Sequence, residues 1–126
     1  ARDRVIVLPQ RGHHDYLRVN LACDAMLDSV RWSGGNTSLD AIACGLPIAT
    51  RPGALMRACQ SAAMLRIAGA PELVADDEDG CVAIAARLAC DREWRDAMSR
   101  RVAAGAAALF DDAAPIDALA AFLARA

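Results

Sequence analysis

Apolar residues fall along this chain in short runs separated by polar, glycine-marked and proline-marked breaks. Val5-Ile6-Val7-Leu8 is a β-branched run stopped by Pro9, the pattern of a parallel strand buried on both faces. Residues 13–22 place Tyr16, Leu17 and Leu21 on related faces of a helix. Ala25-Met26-Leu27 reads as a second short strand ending at Asp28, and a loop runs from Ser29 to Gly35. A helix is predicted from about Thr37 to Cys44, closed by Gly45 as its C-terminal cap residue. Pro47-Ile48-Ala49-Thr50 reads as a third strand and Arg51-Pro52-Gly53 as a turn. A longer helix is predicted from Leu55 to Ala68, ending at Gly69, and Leu73-Val74-Ala75 is a candidate fourth strand. Asp76-Asp77-Glu78-Asp79 supplies the acids that favour a helix start. Helices then follow over about 80–90, 92–109 and 115–125, the last two parted by Phe110-Asp111-Asp112.

Strands and helices alternate through residue 75. That order predicts an α/β chain, half of a Rossmann-like domain: a short parallel sheet of three to four strands flanked by helices. The helical C-terminal third is expected to pack across the sheet. With no repeat and no long linker, residues 1–126 read as a single domain. A chain that opens on a strand without a methionine reads as a piece of a longer protein.

Composition narrows the chemistry. The formal net charge is −2 and all 14 cations are arginine, with no lysine. A binder of nucleic acid driven by phosphate neutralisation is therefore not expected. Schiff-base chemistry and a Gly-Lys-Ser/Thr phosphate loop are excluded for this chain by itself. No apolar run approaches the roughly 20 residues of a membrane span, and no secretory signal opens the chain. Five cysteines, none in a Cys-x-x-Cys pair, read as small buried apolar residues in a reducing cytoplasm rather than a zinc site. Adjacent His13 and His14 point in different directions on a helix, and the acidic run at Asp77 lacks the ends of a calcium loop, so no metal is expected.

The most informative stretch is Ser33-Gly34-Gly35-Asn36-Thr37-Ser38-Leu39-Asp40, which follows a strand and opens a helix. Glycines let a ligand approach the backbone, free helix-start N–H groups attract anions, and the Thr37 and Ser38 hydroxyls add donors. Asp40 is placed to accept hydrogen bonds from a ribose diol. The same residues also read as a capping box, with Thr37 as N-cap and Asp40 three positions on. Asp28, at a strand end, is either catalytic or a cap for the loop. Arg51 and Arg57, near the same edge, either meet phosphate or stay solvated.

Taken in order, Tyr16-Leu17-Arg18, Met26-Leu27-Asp28-Ser29, Gly34 to Ala41, Gly45 to Gly53 and Pro71 to Ala75 resemble the C-terminal part of the O-linked N-acetylglucosamine transferase family, especially its bacterial, tetratricopeptide-linked members. The likeness continues through Leu88-Ala89-Cys90-Asp91 to Leu109-Phe110-Asp111-Asp112. The resemblance implies a GT-B fold of two Rossmann-like domains, of which this chain is the C-terminal part of the one that binds the nucleotide sugar. It implies inverting transfer of N-acetylglucosamine from a UDP-sugar to protein Ser or Thr, in the cytoplasm and without a metal or other cofactor. It further implies UDP-binding roles for Gly34, Gly35, Asn36 and Thr37 at the diphosphate, Asp40 at the ribose, Tyr16 on uracil, and Arg11 and His13 along the base edge.

The sequence departs from the family at Gly35, where many members carry histidine, and at Cys59, where arginine is common. The N-terminal Rossmann domain, the tetratricopeptide repeats and the family's phosphate-binding lysine lie outside the chain. The expectation is a fragment inactive alone, with a dimer possible through uncovered apolar surface. The alternative is a degenerate transferase domain serving as a protein-interaction module. No catalytic residue is assigned.

Overall fold

The computed structural model describes residues 4–125. Six helices and a minimal sheet follow one another: α1 (His13–Ala22), β1 (Met26–Leu27), α2 (Asn36–Ala43), β2 (Ile48–Ala49), α3 (Gln60–Ile67), α4 (Glu78–Cys90), α5 (Arg92–Gly105) and α6 (Ala114–Leu123). Strands β1 and β2 run parallel, with Met26 opposite Ile48 and Leu27 opposite Ala49. Helix α2 is the crossover between them, the βαβ arrangement that the alternation predicted. The next strand is reduced to a parallel bridge between Thr50 and Val74. It rests on Thr50 N–H to the Leu73 carbonyl (3.1 Å) and Ala75 N–H to the Thr50 carbonyl (2.8 Å).

Around this sheet lie Ile42, Ile48, Leu65, Leu73, Leu88 and Val102, all without solvent exposure. Each contributes about 1.5–3 kcal/mol on burial. Alanine fills the remaining contacts, with Ala41, Ala62 and Ala70 fully buried, and α2 and α4 pack against β2. Helix α4 starts where Asp77 accepts from the Gly80 N–H (2.7 Å), and α5 where Asp91 accepts from the Trp94 N–H (3.0 Å). The acids around 76–79 therefore do start a helix, as their placement suggested.

Several expectations need correction. Val5-Ile6-Val7-Leu8 forms no strand: it is irregular, and Val7 is 87% exposed. An apolar run signals a strand only when something covers both its faces, and nothing among the described residues covers this one. The helix expected over 55–68 is a 3₁₀ turn, Met56–Ala58, followed by α3. Its carbonyls are drawn elsewhere. The Ser33 N–H takes the Arg57 carbonyl and the Gly53 N–H takes that of Ala58, each at 2.9 Å. Helix α5 likewise gives way to a 3₁₀ turn at Ala106–Leu109. Helices α4 and α5 join the core, but α6 buries no residue, so the C-terminal third packs only in part. The cysteines are less buried than expected: Cys23 and Cys90 are exposed and the other three half-buried.

Candidate functional site

The site begins with one carboxylate. Asp28 follows β1, and its own N–H bonds the Ala49 carbonyl at 3.0 Å, which keeps it in line with the sheet. Its Oδ1 accepts from the backbone N–H of Ser29 and Gly34, both at 2.9 Å. Its Oδ2 accepts from the hydroxyls of Ser33 (2.8 Å) and Thr50 (2.7 Å). The loop is thus wound around a side chain whose accepting sites are filled, as in turns closed by aspartate. Of the two readings of Asp28, the loop cap is the one this geometry matches.

Beneath the loop lies a buried hydroxyl chain. Ser61 Oγ stands 2.8 Å from Ser33 Oγ and 2.7 Å from Ser38 Oγ, and the Ser61 N–H donates to Ser33 Oγ at 2.9 Å. These bonds tie the starts of α2 and α3 to the loop. The expectation that Ser38 offers a donor to a ligand is therefore corrected, because its hydroxyl is fully buried. Gly34 must be glycine for close approach: a Cβ there would lie 2.3 Å from Ser38 Oγ and 2.7 Å from Thr37 Oγ1.

Helix α2 starts one residue earlier than expected, with Gly35 as N-cap and no side-chain cap. The capping box of Thr37 and Asp40 is not formed. Its physical reason is register: with the chain already helical at Asn36, Thr37 lies inside the first turn rather than before it. The N–H groups of Ser38 and Leu39 go to the Gly35 carbonyl, at 3.0 and 3.1 Å. Asn36 and Thr37, which open the helix, are exposed, and no side chain caps its start. Free N–H groups and the helix dipole together favour an anion at this point.

A cleft of about 360 Å³ opens there, lined by Met26, Asp28, Ser29 and Trp32 together with Ser33–Thr37. Gly34, Gly35, Asn36 and Thr37 are brought together in it. One turn along α2, Asp40 Oδ2 meets His13 Nδ1 from α1 at 3.7 Å. Tyr16 is half-buried on α1 and Arg11 is exposed ahead of it; neither lines the cleft. Burial, and then the charge of Asp40, pushes the Cys44 thiol above its ordinary pKa.

A second groove, of about 390 Å³, carries the guanidinium groups of Arg31, Arg51 and Arg57. Arg51 pairs with Glu78 at 3.4 Å, whereas Arg57 lies over the Trp32 ring, 5.4 Å from its centroid. Trp32, Thr50 and Ser61 escaped the sequence reading as site residues, and so did the pairing of Ser33 with Ser61. The contacts that use them join residues up to 28 apart, and no local spacing announces them. No three His, Cys, Asp or Glu residues among the described ones stand close enough to share a metal ion.

Comparison with known proteins agrees with this geometry. The model of glycosyl transferase family 41 matches residues 1–114. Among solved structures, an O-GlcNAc transferase of Thermobaculum terrenum, determined as a point variant, superposes with a TM-score of 0.78 at 28% identity. The match covers 88% of this chain and 24% of that one, so the chain spans about a quarter of its length.

Proposed function

Since the chain belongs to glycosyl transferase family 41, we propose that it is the UDP-binding portion of an inverting glycosyltransferase, moving N-acetylglucosamine or a related sugar from a UDP-sugar to protein Ser or Thr. The observation that carries this reading is the uncapped start of α2, held open over a cleft by Asp28 and the buried serines. Backbone N–H groups fixed in this way suit a diphosphate. They grow more useful as charge builds on UDP when the glycosidic bond breaks, because they need no rearrangement to meet it. The similarity to a named O-GlcNAc transferase supports the choice of donor.

In this reading Gly34, Gly35, Asn36 and Thr37 hold the diphosphate and Asp40 holds the ribose diol. Tyr16 stacks on uracil, and Arg11 and His13 border the base. No metal is required, because N–H groups and the helix dipole supply the positive end. The acceptor side and the opposing Rossmann domain belong to the rest of a GT-B enzyme working in the cytoplasm alongside tetratricopeptide repeats. The isolated chain binds nucleotide without turnover.

Titration with UDP tests this, followed through amide resonances. Saturable shifts confined to Gly34–Asp40 and the first turn of α1 are expected. Asp40→Ala should weaken binding about tenfold, the loss of one charged hydrogen bond to the ribose. Silence of these resonances at millimolar UDP would overturn the reading.

A further inference from the structure

We infer that Trp32 is the platform on which the sugar of the nucleotide donor lies, and that Arg57 positions its ring. The inference rests on the nucleotide reading and adds to it a residue that fixes the sugar. Trp32 is 68% exposed, yet it lines the same cleft as Gly34–Thr37. A large ring left in water at the mouth of a cleft offers apolar area to whatever enters it.

The ring is also held in place. Arg57 covers it at 5.4 Å, and the neighbouring Ser33 N–H bonds the Arg57 carbonyl at 2.9 Å. Asp28 grips the loop on either side of the ring, through Ser29 N–H before it and Ser33 and Gly34 after it. A platform fixed before binding loses little freedom when a ligand arrives.

Direction follows from the elements around α2. His13 of α1 meets Asp40, which puts the ribose and base toward α1. No residue of α1 lines the cleft at Trp32. A nucleoside diphosphate crossing the start of α2 therefore carries its terminal substituent to the Trp32 side. A pyranose has an apolar face of C–H groups and a rim of hydroxyls. Laid on the indole, it buries the face and keeps the rim wet.

The experiment compares UDP with UDP-N-acetylglucosamine on this chain and on Trp32→Ala, Trp32→Phe and Arg57→Ala. Each protein is read by the ratio of its UDP-N-acetylglucosamine affinity to its UDP affinity, so that a change in diphosphate binding common to both ligands cancels. The ratio should fall about fivefold in Trp32→Ala, the weight of one aromatic stacking contact, and recover in Trp32→Phe. Arg57→Ala should show a smaller loss of the same kind. The Trp32 indole N–H resonance, assigned by its absence from Trp32→Phe, should move with the sugar nucleotide and stay still with UDP. An unchanged sugar increment in Trp32→Ala, with UDP still bound, would overturn the platform and leave the nucleotide reading standing. Absence of UDP binding in the parent chain would overturn both. A resonance that answers only to an acceptor peptide would overturn the sugar assignment.

Discussion

At the scale of the residue, Asp28 decides the shape of the site. Four donors converge on one carboxylate, two of them backbone N–H and two of them hydroxyls. Hydroxyls can rotate to accept as well as donate, whereas N–H groups cannot. Asp28→Asn can therefore keep its oxygen on Ser29 and Gly34 and turn its amide toward Ser33 and Thr50. Asp28→Ala takes the partner from the Ser29 and Gly34 N–H groups and from the Thr50 hydroxyl, while the Ser33 hydroxyl can still turn to Ser61. Urea unfolding should show a loss of about 3 kcal/mol for alanine and about 1 kcal/mol for asparagine. If Asp28 were instead a proton-transfer group, asparagine would abolish turnover in the full-length enzyme as thoroughly as alanine. Gly34→Ala acts at the same loop by overpacking. Its Cβ would meet two hydroxyl oxygens inside normal contact, so the loop must shift and UDP binding should fall by at least about tenfold, the equivalent of the 1–3 kcal/mol that overpacking costs.

At the scale of the element, propensity and packing give opposite answers for Gly105, and packing should win. Alanine inside a helix is worth about 0.8–1 kcal/mol over glycine. Yet a Cβ at Gly105 would lie 2.0 Å from the Ala68 carbonyl oxygen, where backbone meets backbone. Gly105→Ala should lower the melting temperature rather than raise it; a rise would mean that α5 and the end of α3 part easily. The pH dependence of stability also belongs to the helices. The Trp94 N–H holds the Asp91 carboxyl below the usual aspartate range, helped by Arg87, and Arg101 does the same for Glu72. Groups with depressed pKa add stability above their unfolded values, about pH 4, and lose it as pH falls through the folded ones. Acid unfolding of Asp91→Asn/Glu72→Gln should accordingly be shallower below about pH 4 than that of the parent chain. Legibility divides along the same line. Helix α1, the crossover α2 and the closing residue Gly45 were legible because their signals lie within one or two turns of chain. The same holds for the loop from Gly34 to Asp40, whose residues are contiguous. Trp32 over Arg57, and Ser33 with Ser61, were not legible, because their meeting depends on a 3₁₀ turn at Met56–Ala58 that interrupts a helical pattern. The run Val5–Leu8 misled for a related reason: its pattern reports apolarity, while strand formation needs a partner.

At the scale of the molecule, the buried core and the exposed apolar surface are separable. The buried side chains that close the core come from the sheet, the turn at Pro71–Leu73, α2, α3, α4 and α5. Helix α6 adds none of them, and Ile116, Leu119, Phe122 and Leu123 on it are all more than half exposed. A chain ended at Asp112 therefore gives up helix without giving up core. Its unfolding free energy should stay within about 0.5 kcal/mol of the parent's, as for surface changes that touch no packed side chain. Its binding of a dye specific for apolar surface should fall, and any self-association of the chain should fall with it. UDP titration should be unaffected, because the cleft is lined by β1, the following loop and the start of α2. A large loss of stability on truncation would instead place α6 against the core in solution and would make its apolar face part of the fold.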